Sequence, residues 1–358
     1  MEKPAYMPSR TDTRKMLLFI VVFLLFTVLN WLIHCEGDRT TATMLQYRIP
    51  YKPSLTRSPS VNTLSIAKAP PPAAPRAPIH WVVFSTNDNP MYSFFVPLTS
   101  WAWTKRIGWR PLVLVSEGVQ PLVRDAVRWA GGEVLEVPRA GWPTSTLMQV
   151  ARIVSAAALE HDEDILTTSD ADIFPLDAVY FNTINMSEAD VHVQGSHSAT
   201  LHKKQYPICY VTMTVGTWKR VMNISSNRNL SVAMAPFLRK KLNWDYDQVL
   251  LYKNSQAPGV RVKLYGGWRF QGRMDFRVHP TGLAFKEGAY LDSHLLRPGF
   301  TQGNWPELRR ALLDHIMDNK TLEHFERYRR VFIDTVMNGD ELAKGVRDGM
   351  GRPKKRRV

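Results

Sequence analysis

Asp164-Ile165-Leu166-Thr167-Thr168-Ser169-Asp170-Ala171-Asp172-Ile173-Phe174-Pro175-Leu176 reads as a short apolar strand that ends in two carboxylates one residue apart, followed by a proline-marked turn. Side chains at i and i+2 of a strand point the same way. Asp170 and Asp172 are therefore expected to present oxygens together at a strand's exit, where open α/β sheets hold their ligands. Two such carboxylates are part of a site for a hard divalent cation, with water and phosphate oxygens left to complete the shell. The plainer alternative is a solvated turn in which one aspartate caps the next segment.

Upstream of this stretch, strand and helix signals alternate. His80 to Thr86 is apolar and strand-like and exits into the polar loop Asn87-Asp88-Asn89-Pro90. A helical stretch over Phe95 to Lys105 precedes the strand Pro111 to Val115. Pro121 to Ala130 has proline near its start and Gly131-Gly132 past its end, which predicts a helix. Glu133 to Val137 is a further strand. Ser145 to Leu159, with Leu147, Val150, Ile153, Val154 and Ala157 at helical spacing, delivers the chain to Ile165. Such alternation predicts a mostly parallel sheet flanked by helices on both faces. Thr86 and Asn87, leaving the first strand, fall near its ligand-binding edge. No Gly-x-Gly-x-x-Gly and no Walker-type loop follows, so neither glycine motif supports nucleotide binding.

The second half is less regular. Ala189 to Gln194 and Tyr206 to Val215 are strand-like, and Gly216 to Arg220 leads into a helix. Asn243-Trp244-Asp245-Tyr246-Asp247-Gln248 is an acidic turn entering a helix, with Asp245 as a candidate N-cap. Val262 to Trp268 and Tyr290 to Leu295 follow, then two amphipathic helices over Leu308 to Gly345. The sequons at Asn185, Asn223, Asn229 and Asn319 are candidate N-glycosylation sites.

The N-terminal region differs in kind. Residues 1–15 are polar, and Leu17 to Ile33 is almost wholly apolar, about 26 Å long as a helix and near the lower limit for crossing a bilayer. Basic residues before it favour a cytosolic N-terminus, making residues 16–34 a signal anchor. A cleaved signal peptide is the alternative, but the run is long and no small-x-small site follows. Residues 35–78 are rich in Pro, Ser, Thr and Ala and read as a semi-extended spacer. The division expected is thus tail, anchor, spacer, an α/β domain over 79–305, and C-terminal helices with a basic tail over 306–358.

The 358 residues are 44% hydrophobic, which suits a packed core rather than a disordered chain. A formal net charge of +14 raises nucleic acid as a partner. Part of that excess sits in the tails, and no zinc-finger or RNA-binding signature accompanies it, so nucleic acid is not expected. The two cysteines, Cys35 and Cys209, define no disulfide framework.

Anchor, spacer, α/β domain and strand-ending Asp-x-Asp together resemble the type II Golgi glycosyltransferases of the GT-A fold. The order Asp170-Ala171-Asp172, then Asp247-Gln248, looks most like the nucleotide-diphospho-sugar transferase family, whose Asp-Gln pair lies downstream of its metal motif. The resemblance covers roughly Ile79 to Pro298. It implies a GT-A-like, Rossmann-type catalytic domain and a late histidine as a further metal ligand, for which His294 is the candidate and His279 the second. It also implies a UDP-sugar more than a GDP-sugar donor, a glycan or glycoprotein acceptor in the Golgi lumen, and retention more than inversion.

The chemistry is consistent with those expectations. A sugar-nucleotide's leaving diphosphate gains charge as the glycosidic bond breaks, and Mn²⁺ or Mg²⁺ on Asp170 and Asp172 would stabilise it. A histidine ligand favours Mn²⁺. Arg152, on the helix before the strand, reaches phosphate or forms a surface salt bridge. Asp245 and Asp247 are the carboxylates for acceptor activation or for steadying an oxocarbenium-like state, with Gln248 beside them. Trp218, Trp244 and Trp268 are either sugar platforms or core. Two other readings remain from the residues: an inactive membrane-tethered lectin or scaffold of the same fold, and a hydrolase using paired carboxylates.

Overall fold

The computed structural model describes residues 76–337, apart from 140, 197–202, 225–228, 239–242, 267–271 and 280. The expected tail and anchor, nearly all of the spacer, Cys35, Trp268 and the basic C-terminal tail lie outside these residues. Among the described residues no helix is long and apolar enough to cross a membrane.

Among the described residues, ten strands form two sheets. β1 (His80–Thr86), β2 (Arg110–Ser116), β3 (Glu133–Val137) and β4 (Ile165–Thr168) pair in parallel, β1 between β2 and β4. β5 (Ile173–Pro175) leaves this sheet for a second one. β6 (Val191–Ser196) and β8 (Val262–Gly266) are parallel neighbours, and β7 (Val211–Thr214) runs antiparallel between β4 and β6. The large sheet therefore has the order β3-β2-β1-β4-β7-β6-β8, with β7 alone reversed. The small sheet is β5-β10-β9, where β9 spans Gly272–Asp275 and β10 spans Tyr290–His294.

Both faces of the large sheet are covered, which is why its strands read as near-continuous apolar runs. Val82, Phe84, Val113 and Val115 face one core, shared with the helices Val96–Ala102 and Pro121–Trp129. Trp81, Val83, Leu112 and Leu114 face the other, shared with the helices Thr144–Val154 and Val215–Val221. The expected α/β Rossmann-type arrangement is the one observed. Its strand order reverses between β1 and β4, and ligands bind such sheets at the carboxyl ends of the strands at that switch point.

Three expectations change. The strand ends at Thr168, so Asp170 and Asp172 occupy a turn rather than alternating positions on a strand. The segment expected to be a proline-marked turn is instead β5, with Phe174 and Pro175 paired to Ser293 and Asp292 of β10. Proline is tolerated there because it stands at a short strand's end on the sheet's edge. The division at 305/306 falls inside the helix Asn304–Leu308, whose Trp305 and Leu308 belong to the same core as Phe84 and Phe94.

Candidate active site

A cleft of about 510 Å³ opens at the switch point, within the size range of small-molecule sites. Thr86, Asn87, Arg152, Asp170, Asp172, Asp247, Gln248 and His294, spread over more than 200 residues of sequence, all line it. Asp245 and His279 do not. Asp245 is the N-cap of the helix Tyr246–Ser255 and its side chain makes no capping hydrogen bond. Residues two apart on a helix are about 200° apart around its axis, so turning Asp247 inward turns Asp245 away. Trp218 is core, its Nε1 donating to the Leu166 carbonyl, whereas Trp244 lies at the rim of the cleft and is exposed.

Topology explains the central pair. β5 begins directly after Asp172 and pairs antiparallel with β10, placing His294 opposite Ile173. The Leu295 N–H donates to the Asp172 carbonyl at 2.9 Å, fastening the two segments together. His294 Nε2 then lies 3.0 Å from Asp172 Oδ2, and Arg297 Nε lies 3.4 Å from the same oxygen. Burial works to raise the Asp172 carboxyl, but the His294 hydrogen bond and the charges of His294 and Arg297 prevail and hold it below the ordinary value.

Arg152 is neither a surface ion pair nor free to grip phosphate. It is 7% exposed and joins the other two carboxylates. Nη1 donates to the Ser169 carbonyl and to Asp170 Oδ1, and Nη2 donates to Asp247 Oδ2 at 2.6 Å. Burial alone would lower its affinity for the proton, yet Asp170 and Asp247 raise it above the usual arginine value. Burial pushes the Asp247 carboxyl up from its usual range, against the pull of Arg152.

The expected trio of Asp170, Asp172 and His294 is thus divided. Asp172 meets His294, while Asp170 turns to Arg152. Among the described residues no three His, Cys, Asp or Glu side chains gather as a metal-holding group.

Sequence reasoning missed several lining residues. Arg273 is held bidentately by the fully buried Asp292, at 2.7 and 2.8 Å, and Asp292 also accepts from Tyr210 Oη at 2.7 Å. Arg297 lies over the Tyr92 ring at 5.0 Å. Cys209 also lines the cleft, its thiol pushed up to about 11 by burial and so kept protonated at neutral pH. Arg297, three residues past His294 at the exit of β10, had a positional signal. Arg273 and Cys209 had none.

No family model and no curated protein sequence matches the chain. It is similar to solved glycosyltransferases. The galactosyltransferase LgtC, in complex with donor and acceptor sugar analogs, is 13% identical with a TM-score of 0.40, over 70% of this chain and 95% of that one. The glycosyltransferase GlyE of Streptococcus pneumoniae is 12% identical with a TM-score of 0.40, over 79% of this chain and 67% of that one. These likenesses are loose.

Proposed function

We propose that the chain is a metal-dependent glycosyltransferase that moves a sugar from a nucleotide-sugar donor to a hydroxyl of a glycan or glycoprotein. One observation carries this reading. At the switch point, a single cleft holds Asp172 under His294 and Arg297, and Asp170 and Asp247 bound to Arg152. When the bond between the anomeric carbon and the diphosphate breaks, its electron pair and charge go to the phosphate oxygen. Preoriented cationic groups lower that barrier. Arg297, steadied over Tyr92, is the group of this chain proposed to meet the phosphates. Thr86 and Asn87, at the exit of β1, are proposed to meet the nucleoside, with UDP preferred over GDP as the family resemblance implies.

The donor set fits a metal in its chemistry. Asp172 offers carboxylate oxygen, His294 an imidazole nitrogen, and Asp170 a second carboxylate lining the same cleft. The other ring nitrogen of His294, Nδ1, is buried without a hydrogen-bond partner. Mn²⁺, favoured by imidazole, or Mg²⁺ would supply Lewis-acid stabilisation of the diphosphate there. The protein's own task is to hold these groups and Asp247 in place. Asp247 accepts from Arg152 through Oδ2 and from the Gln248 N–H through Oδ1. Both oxygens of Asp247 are thus engaged in holding the site, which favours a positioning role for it; retention is proposed on the family resemblance, with Gln248 positioning the sugar.

The apolar run Leu17–Ile33, the Pro-rich spacer and the exposed sequon residues Asn185, Asn223, Asn229 and Asn319 support a type II Golgi membrane protein with a luminal, N-glycosylated domain. The test uses full-length protein in detergent with a panel of UDP- and GDP-sugars, following nucleoside diphosphate release. Turnover should require Mn²⁺ or Mg²⁺, vanish with EDTA, and fall on the order of 10²–10³-fold in Asp172→Asn. Turnover that survives both changes sinks the metal-dependent reading. Glycan binding with no turnover of any donor leaves a lectin.

A further inference from the structure

We infer that Trp244 is the platform on which the acceptor's sugar ring docks, an inference that rests on the glycosyltransferase reading above. The indole is 77% exposed, and it lines the cleft. Among the described residues one other tryptophan is exposed, Trp129 at 46%, and His324 stacks on its face with ring centroids 3.3 Å apart. Among the described residues no ring or cation packs on Trp244. Leaving so large an apolar surface in water opposes the hydrophobic effect, and an isolated aromatic at a cleft's rim is suited to a ligand.

The position of Trp244 is fixed rather than incidental. Its backbone carbonyl accepts from Gln149 Nε2, on the helix that carries Arg152 one turn later. Three residues on, Asp247 is buried against Arg152. The indole is therefore tied to the floor of the cleft from two sides while its ring remains in solvent. A donor whose phosphates meet Asp172 and Arg297 occupies that floor. The acceptor enters over the donor from the open side, where Trp244 stands. An indole face and the Gln248 amide, both lining the cleft, match a pyranose, which offers an apolar C–H face and a perimeter of hydroxyls.

Full-length wild type, Trp244→Ala and Trp244→Phe are compared in two measurements. In the first, transfer from the donor found above is followed onto p-nitrophenyl galactosides, glucosides, mannosides and xylosides. Trp244→Ala should raise the acceptor KM about tenfold with the donor KM held, and Trp244→Phe should recover most of the loss. An unchanged acceptor KM overturns the inference. So does a raised donor KM, which would assign the indole to the nucleobase. The second measurement needs no turnover: saturation-transfer NMR of the same glycosides with protein and UDP. Transfer to the pyranose C–H protons should be present in wild type and lost in Trp244→Ala, and persistence in the variant overturns the inference. Donor turnover absent from wild type, with the NMR signal lost as expected, would refute the transferase reading and leave the platform standing.

Discussion

Arg152 illustrates how one residue can hold a site together. Its guanidinium is the shared partner of Asp170 and Asp247, and it is nearly as buried as the fully enclosed Asp247. Deleting one member of a buried charged network leaves the others desolvated and uncompensated, at a cost of about 3–5 kcal/mol. Arg152→Met should therefore lower the urea unfolding free energy by about that much, and adding Asp247→Asn should restore part of it instead of adding a further loss. Simple additivity of the two changes would mean that they do not interact. Asp164 plays a comparable role at the domain's start. It accepts from Arg76 at 2.8 Å, the Ile79 N–H at 2.9 Å and Trp81 Nε1 at 3.1 Å. Asp164→Ala should cost about 2–4 kcal/mol in the same assay, because three donors lose their acceptor. Of these roles, the sequence disclosed little. Asp170 and Asp172 were legible because they adjoin an apolar strand, and Asp247 because a familiar motif order pointed to it. The partners of Arg152 lie 18 and 95 residues away, and such pairings follow from packing that no local pattern encodes.

At the level of elements, the long strands and helices were legible wherever periodicity was strong, as in β1, β2 and the helix Thr144–Val154. The small sheet was not. β5 has three residues, and its pairing with β10 across more than a hundred positions places His294 on Asp172. A short strand of that kind is defined by its partner, not by its own sequence. The β6–β8 pair carries a pH prediction. His192 is fully buried, with Nε2 3.0 Å from the Ala189 carbonyl and Nδ1 2.8 Å from Tyr265 Oη. A carbonyl only accepts, so Nε2 bears the proton and Nδ1 accepts from the tyrosine, a neutral ring. Burial lowers the His192 pKa below 6.5, with the Lys263 charge helping and the Ala189 contact opposing. The unfolded chain then binds a proton in a range where the folded one does not. The stability this ring contributes is therefore complete above about pH 6.5 and lost as pH falls through its lowered pKa. His80, also lowered by burial and opposed by Asp164, acts in the same direction. The urea midpoint should fall between pH 7 and pH 5, and less steeply in His192→Gln. Equal pH slopes in the two proteins would refute the assignment.

For the whole molecule, the sequence pointed to a parallel α/β sheet with its site at the switch point but placed the domain's end too early. The helices after residue 303 look detachable as a pattern, because amphipathicity reveals an apolar face without saying what covers it. The structure supplies the partner. Phe94 is ringed by Trp305, Tyr328 and Phe332, with ring centroids 5.9, 5.6 and 5.2 Å away. Tyr328 Oη donates to the Phe94 carbonyl, and Arg329 Nε donates to the Phe300 carbonyl at 2.7 Å. Phe300 is itself six residues past His294, so the same chain segment that closes the site is clamped by the last long helix, Asn319–Phe332. Removing those helices should therefore damage more than stability. A chain ending at Gly303 would uncover Phe94 and Phe300 together, and should lose cooperative unfolding and near-ultraviolet circular dichroism. A single cavity is a gentler probe of the same coupling. Phe332→Ala should lower the unfolding free energy by about 3–5 kcal/mol while the protein still folds. Donor turnover in that variant should fall together with the folded fraction on warming, because residues 294–300 and the helix share one core. If the shortened chain instead keeps a sharp transition, and Phe332→Ala costs nothing, the helices are an appendage and His294 is held by the small sheet, β5 and β9, alone.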